Sequence, residues 1–175
     1  LGKSFVHSTS ALKLILEKMP ATLELAFAAM AIAIVLGIPL GLWAGLKPDA
    51  FSGRTIMAGS ILGFSLPTFW VGLMLIMVFS VMLGWLPSNG RGETVSVLGV
   101  PLSFLTVDGL RHLVMPATNL ALFNVALLIR LTRSGAHEAL LQDYVKFARA
   151  KGLSNRRVIG VHVLRNILTP IVTVI

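Results

Sequence analysis

The residue types that carry chemistry in enzymes are present in this chain, but their spacing matches no common catalytic motif. The four histidines are scattered, without the His-Glu-x-x-His spacing that holds zinc on one helical face: His7, His112, His137 and His162. The chain has no cysteine, no Gly-x-x-x-x-Gly-Lys-Ser/Thr loop to cradle nucleotide phosphates and no Gly-x-Ser-x-Gly turn to present a nucleophile. We therefore predict no catalytic residue, no metal site and no bound cofactor.

The densest cluster of cations lies in the segment DYVKFARAKGLSNRRV, residues 143–158. On a helix, the i, i+3, i+4, i+7 spacing places four side chains on one face: Tyr144, Phe147, Ala148 and Lys151. Gly152 is expected to end this helix, and Ser154 is available to cap the next one. Two interpretations fit these residues. The segment is either an interfacial helix whose cations contact anionic lipid, or a docking helix for a cytoplasmic partner.

The elements that must position this segment are strongly apolar. Only 13% of the 175 residues are charged and the mean hydropathy is +0.86, whereas about a quarter of the residues in a soluble domain are charged. The composition therefore predicts a membrane protein. The formal net charge of +8 does not indicate nucleic-acid binding, because the bases sit at the ends of long uncharged runs and not across a solvated face.

Hydropathy divides the chain into membrane spans and loops. A helix needs about 20 mostly apolar residues to cross about 30 Å of hydrocarbon, and three stretches meet this length: 22–46, 56–85 and 113–134. Residues 161–175 are expected to begin a further span. The residues after Arg165 cover only about 15 Å of helix, which is too short to complete the crossing. We therefore predict an all-α, polytopic transmembrane bundle in which residues 1–175 form one partial domain.

The distribution of basic residues predicts the orientation, because short loops rich in Lys and Arg stay in the cytoplasm. Lys47 and Arg54 flank the first turn, and the loop 135–160 carries the dense cationic segment. Both are expected on the cytoplasmic side, which places residues 1–20 and the loop 86–112 outside. Residues 1–20 are expected to form a short helix along the interface or a frayed lead-in.

Small and polar residues in the spans suggest contacts with other helices. The spacing of Gly37, Gly41 and Gly45 aligns them on one helical face, which allows a neighbouring backbone to approach closely. Helix packing alone accounts for such residues. A sharper hypothesis is a translocation pathway, because amides facing lipid are costly and should face protein or water. The candidate pathway residues are Ser65, Pro67, Thr68, Asn119 and Asn124.

The stretch QDYVKFARAKGLSNRRVIGVHVLRNILTPIVTVI resembles the characteristic cytoplasmic loop of ABC-importer permease subunits, often called the EAA loop. Three further stretches look like the dipeptide and oligopeptide permease branch: MPATLELAFAAMAIAIVLGIPLGLWAGL, GFSLPTFWVGLMLIMVFSVMLGWLPSNG and HLVMPATNLAL. The resemblance extends over essentially the whole chain. It implies a type I ABC-importer permease with about six spans, of which this chain would hold the second through the start of the fifth.

The resemblance also implies partners for the chain in a bacterial inner membrane. These are membrane lipid, a homologous permease subunit, two ABC ATPase subunits that carry ATP and magnesium, and an extracytoplasmic solute-binding protein. Peptides are the default cargo of the branch, although relatives handle nickel chelates, glutathione or sugars. The residues expected to dock the ATPase and couple it to transport are Asp143, Tyr144, Phe147, Ala148, Arg149, Lys151, Gly152 and Leu153.

The family pattern matches this loop in part. The family's glycine falls on Gly152 and its preceding alanine on Ala148. Lys146 stands where an acidic residue is usual, and Arg165 stands where a proline is common. No salt bridge can therefore be assigned by analogy at Lys146.

Two other classes of protein remain as alternatives. A secondary transporter or channel would also have polar groups in kinked spans, but it would not need a docking loop. A structural or enzymatic membrane protein is the third class. An intramembrane protease would have to pair a hydroxyl such as that of Ser65 or Ser80 with a histidine, and the histidines lie near the predicted membrane boundaries.

Overall fold

The computed structural model describes residues 11–97 and 99–173, apart from the side chains of Ala11, Arg156, His162 and Pro170. The described residues are mainly helical, which confirms the predicted all-α fold class. The helices are α1 (Ala11–Leu46), α2 (Phe51–Ser65), α3 (Thr68–Leu75), α4 (Val107–Leu141), α5 (Asp143–Ala150), α6 (Asn155–Arg157) and α7 (Leu164–Val172). π-Helical turns occupy Ile76–Met82 and Val158–Val163, and two short strands are β1 (Val95–Val97) and β2 (Val100–Leu102).

Long apolar helices provide the membrane-spanning elements. Within the described ranges, Leu12–Leu46 and Val107–Leu141 are long and apolar enough to cross a bilayer. A third crossing is possible if the bent pair Phe51–Ser65 and Thr68–Met82 forms one span.

The first helix extends further than predicted. The sequence predicted a lead-in over residues 1–20 followed by a span over 22–46, but α1 runs without a break from Ala11 to Leu46. One helix therefore covers residues of both predicted segments, and the position of the membrane boundary along it stays a prediction. α1 continues through Pro20, because the φ angle that proline imposes is compatible with a helix. Membrane helices also tolerate the loss of the backbone N–H donor at a proline. Residues 1–10, with His7, lie outside the described residues.

The second predicted span, 56–85, is not one continuous helix. α2 begins earlier, at Phe51, and ends at Ser65, and the π-helical turn after α3 ends at Met82. Between α2 and α3, Leu66 has φ −78° and ψ 133°, and Pro67 has φ −62° and ψ 129°. A proline ring clashes with a helical conformation of the preceding residue, so the predicted kink at Pro67 is a full break.

The loop predicted over 86–112 contains more structure than the sequence indicated. It ends sooner, since α4 begins at Val107. Strands β1 and β2 form an antiparallel hairpin in which Val95 pairs with Leu102 and Val97 with Val100. Each strand has only three residues, which is too short to give a recognisable periodic pattern in the sequence.

The segment predicted as a loop over 135–160 is largely helical. α4 continues to Leu141, beyond the predicted end of the third span at 134, and α5 follows after a single intervening residue. From Asn155 the chain is helical through α6, a π-helical turn and α7. The further span predicted from residue 161 therefore begins within a helical segment that starts at Asn155. Residues 174 and 175 of the predicted span lie outside the described part.

The chain divides into two compact units, Leu1–Ala29 with Pro67–Leu120 and Met30–Leu66 with Ala121–Ile175. In the second unit, the small face of α1 meets α4. A Cβ added to Gly41 would lie 2.7 Å from the Ile129 carbonyl oxygen, and a Cβ on Gly45 would lie 2.8 Å from the Ala136 Cβ. The expected close approach at these glycines is confirmed, and Leu128, also at the contact, belongs to the buried core.

Candidate functional site

The turn between α4 and α5 fixes the start of the amphipathic helix. Gln142 is extended, with φ −69° and ψ 147°, and its N–H donates to the Ala139 carbonyl at 3.2 Å. The Gln142 carbonyl in turn accepts hydrogen bonds from the N–H groups of Val145 and Lys146. One residue therefore closes α4 and opens α5, which fixes the direction of the short helix by backbone hydrogen bonds.

One face of α5 is buried against the helical segment that follows it. Val145 is completely buried and Ala148 nearly so. Both lie in the same apolar cluster as Val158, Val163 and Ile167, which come from the second π-helical turn and α7. Burial of these apolar side chains stabilises the position of α5 on its own chain.

The opposite side of α5 is exposed. Phe147 is 62% exposed, and the Lys151 ammonium lies 4.6 Å from the centre of its ring, a distance suited to a cation–π contact. Tyr144 and Arg149 are exposed as well. Three of the four residues predicted to share a face are therefore exposed, while Ala148 is buried. The reason is the i, i+3 pair of Val145 with Ala148, which forms the apolar strip that packs on the core.

The first turn of α5 carries an ion pair. The Lys146 ammonium lies 2.9 Å from an Asp143 carboxylate oxygen, and both side chains are well exposed. The hydrogen bond from Lys146, together with its charge, lowers the pKa of the Asp143 carboxyl. Asp143 is therefore ionised at neutral pH, and it also lies at the helix N-terminus, where a negative charge is favourable.

Gly152 ends α5 in a Schellman motif. Gly152 has φ +77°, a conformation that costs a glycine little and other residues more. The Gly152 N–H donates to the Arg149 carbonyl at 2.9 Å, and the Leu153 N–H donates to the Ala148 carbonyl at 3.2 Å, the two bonds that define the motif. Leu153 then packs, half-buried, against the core. The helix stop predicted at Gly152 is confirmed.

A side-chain hydrogen bond joins α5 to α7. The Asn166 Nδ2 donates to the Tyr144 hydroxyl oxygen at 2.9 Å, across 22 residues of sequence. The sequence did not single out Asn166, because an isolated asparagine about one turn before Pro170 carries no pattern that identifies its partner.

The candidate pathway residues are divided between the two compact units. In the second unit, the Ser65 hydroxyl donates to the Ile61 carbonyl at the end of α2, and Asn124 is half-buried on α4. In the first unit, Pro67 and Thr68 are exposed at the start of α3. The role of these residues in a pathway stays a prediction.

Asn119 lies at a cavity in the first unit. The cavity, of about 290 Å³, is also lined by Gly72, Ser88 and His112. The Asn119 amide stands close to Gly72, since a Cβ on that glycine would lie 3.2 Å from Nδ2. Among the described residues, its buried Oδ1 has no hydrogen-bond partner.

A buried carboxylate in the first unit was not assigned a role from the sequence. Glu24 on α1 is 8% exposed and accepts hydrogen bonds from both the backbone N–H and the hydroxyl of Ser103. Arg91 lies 3.2 Å from the same carboxylate and donates to the Pro101 carbonyl. Glu24 therefore fastens the segment around the β1–β2 hairpin to α1. A single acidic residue in an apolar span indicates a functional or structural site. The sequence does not identify the partner of Glu24, because Ser103 is 79 residues away.

These features define an integral membrane protein with long apolar helices and a small amphipathic helix seated on its own chain. The part of the chain that the structure describes forms no catalytic constellation. Among the described residues, no group of three or more His, Asp or Glu side chains could hold a metal ion. Residues 37–175 match the family described as binding-protein-dependent transport system inner membrane component. The chain belongs to this family, which consists of transport subunits and not of enzymes.

Curated relatives are peptide permeases. The chain is 41% identical to the di/tripeptide transport system permease protein DppB of Pseudomonas aeruginosa, over 99% of this chain and 55% of the relative. It is 38% identical to the dipeptide permease DppB of Haemophilus influenzae, over 99% and 56%, and 39% identical to the oligopeptide permease AppB of Bacillus subtilis, over 99% and 53%. The resemblance to the peptide-permease branch is confirmed. The chain spans about half the length of these relatives.

Proposed function

We propose that this chain is part of a membrane-spanning permease subunit of an ATP-driven importer. In this proposal the subunit forms the translocation pathway for peptides or similar small solutes, and α5 couples it to separate ATPase subunits. The observation that carries the proposal is the seating of α5. Its Val145–Ala148 strip is buried in the chain's own core, whereas Phe147 and Lys151 are left on the surface.

This arrangement can transmit force. Both ends of α5 are fixed by backbone hydrogen bonds, at Gln142 and at Gly152, and one side is held by apolar packing. A partner that grips the exposed side therefore moves the helix as a rigid body. Nucleotide-driven closure of two ATPase chains would then tilt the spans between inward-open and outward-open arrangements, with ATP and cargo both biasing the two-state equilibrium.

The proposal includes the partners and the location of the complete importer. They are a homologous permease subunit, two ABC ATPase subunits with their ATP and magnesium, an extracytoplasmic solute-binding protein, and the surrounding membrane lipid. The subunit itself binds no cofactor. Family membership supports the inner membrane as its location, and the basic residues around α5 support the cytoplasmic side for this helix.

Peptides are the proposed cargo. The names of the relatives support this class, since they are permeases for di/tripeptides, dipeptides and oligopeptides. Nickel chelates, glutathione and sugars are the alternatives, and competition for uptake of a labelled dipeptide distinguishes them. A secondary transporter or channel would need no ATPase, so co-purification of the full-length subunit with an ATPase separates that alternative from an importer.

A site-specific crosslink tests the docking surface directly. A photoreactive amino acid replaces Phe147 in the complete importer in native membranes, and we expect it to label the ATPase subunit. The matched control replaces Phe104, an exposed aromatic residue of the predicted outer loop, and should not label the ATPase. Labelling of lipid alone from position 147, in a working importer, would show that α5 rests on phospholipid and would remove its proposed link to ATP.

A further inference from the structure

We propose that Asn166 is a positioning residue that passes the movement of α5 to α7 through its hydrogen bond to Tyr144. This inference rests on the proposed function, because it concerns how a pull on α5 reaches the span that follows. Asn166 itself is exposed and lies on α7, whereas the exposed Phe147–Lys151 pair belongs to α5 and its C-cap.

The backbone between α5 and α7 is a weak link for such a movement. It passes through the left-handed turn at Gly152, the three-residue helix α6 and the π-helical turn Val158–Val163. The two hydrogen bonds of the Schellman motif hold the turn at Gly152, but π-helical turns are irregular segments that often mark functional sites. Strain applied to α5 can therefore be absorbed by this connection before it reaches α7.

The side-chain contacts between α5 and α7 bypass that connection in two ways. The first is apolar packing of Val145 and Ala148 in one cluster with Val163 and Ile167, in which the hydrophobic attraction is non-directional. The second is the 2.9 Å hydrogen bond from Asn166 to Tyr144, which is directional. The hydrogen bond therefore adds a directional contact to the packing that holds α5 against α7.

The hydrogen bond is exposed to solvent. Its loss can therefore affect the transmission of movement without a large loss of folding stability. A typical intramolecular hydrogen bond contributes modestly to folding, because water replaces the lost partner. Removal of either group should therefore leave the subunit folded and inserted. The expected change is a two- to tenfold fall in cargo transported per ATP hydrolysed, the order that a single hydrogen bond can supply.

The test is a double-mutant cycle in the complete reconstituted importer, with full-length permease subunits, ATPase subunits and binding protein. The variants are Tyr144→Phe, which removes only the hydroxyl, Asn166→Ala, and the pair together. The matched control is Ser134→Ala, which removes an exposed side-chain hydrogen bond to Glu138 that lies within one helix. Labelled dipeptide uptake, ATP hydrolysis, ATPase co-purification and the melting temperature are measured for each variant.

We expect both single variants to lower the ratio of uptake to ATP hydrolysis, and the double variant to lower it no further. Ser134→Ala should keep the wild-type ratio, and both Ser134→Ala and Asn166→Ala should retain the ATPase and the melting temperature. A wild-type ratio in both single variants, or additive losses, would overturn the role of Asn166 while the importer itself still works. Failure of the wild-type subunit to retain an ATPase would instead overturn the proposed function.

Discussion

The turn at Gly152 allows the coupling role of α5 to be tested through backbone strain alone. Gly152 has φ +77°, and a Cβ built on it meets no other atom of the described residues within 4 Å. A side chain at this position therefore does not block the turn by collision. The cost of a substitution comes from holding an L-residue in the left-handed conformation, which is about 1–2 kcal/mol.

This cause predicts a graded series of variants. Asn tolerates the left-handed region, so Gly152→Asn should cost well under about 1 kcal/mol. We expect Gly152→Ala to cost about 1 kcal/mol and Gly152→Val about 2 kcal/mol or more, because β-branched residues are rare at positive φ. The variant turn relieves this strain by losing the hydrogen bonds from Gly152 and Leu153 to α5.

The consequence for transport follows the same order. Gly152→Val should abolish uptake and leave ATP hydrolysis uncoupled from cargo, Gly152→Ala should be intermediate, and Gly152→Asn should resemble the wild type. Uptake of a labelled dipeptide and ATP hydrolysis are measured in the reconstituted importer. Membrane insertion should be unchanged, because the turn is exposed and lies beyond the long apolar helices.

The control is Gly160→Ala, at a nearby glycine that also has open space around its Cβ position but no positive φ. It should leave uptake at the wild-type level. An equal loss of uptake in Gly152→Asn and Gly152→Val would show that position 152 tolerates no side chain at all. The left-handed backbone conformation would then not be the cause. Normal uptake by Gly152→Val would refute the coupling role of this helix.

Two further substitutions test packing and the buried carboxylate. Gly41→Ala places a Cβ 2.7 Å from a backbone oxygen of α4, so it should destabilise the subunit by about 1–3 kcal/mol, measured by thermal unfolding in detergent. Gly59→Ala, with open space around its Cβ position, should be neutral, and an equal effect of both would contradict close helix packing. Glu24→Gln weakens the pair with Arg91, which is 31% exposed, and should cost about 1–3 kcal/mol and speed proteolysis of the predicted outer loop. Glu93→Gln, at an exposed residue, should not speed this proteolysis. Identical cleavage rates in the wild type and Glu24→Gln would exclude a fastening role for Glu24.

The sequence predicted the elements whose signal is local. The apolar runs identified the long helices, because the bilayer thickness sets their length. Gly152 identified the end of α5, because a left-handed helix stop favours glycine. The break at Pro67 was predicted only as a kink, since membrane helices often tolerate proline, and the extended conformation of Leu66 decides the outcome.

The features that the sequence did not predict depend on contacts between distant residues. The sequence did not identify the buried face of α5, because helical spacing shows which residues share a face but not which face meets the core. Glu24 and Ser103 come together over 79 residues, and Asn166 and Tyr144 over 22. No local pattern in a single sequence reports such a pair.

The two sides of α5 are subject to different constraints on variation. The residues that hold the helix in place, Val145 and Ala148, are buried, so enlarging or shortening them costs packing energy. Phe147 projects into solvent, where most substitutions change folding stability by less than about 0.5 kcal/mol. If α5 docks an ATPase subunit as proposed, exchange of one ATPase for another requires new side chains on the exposed side alone, and permeases with the same scaffold can diverge in the ATPases they accept.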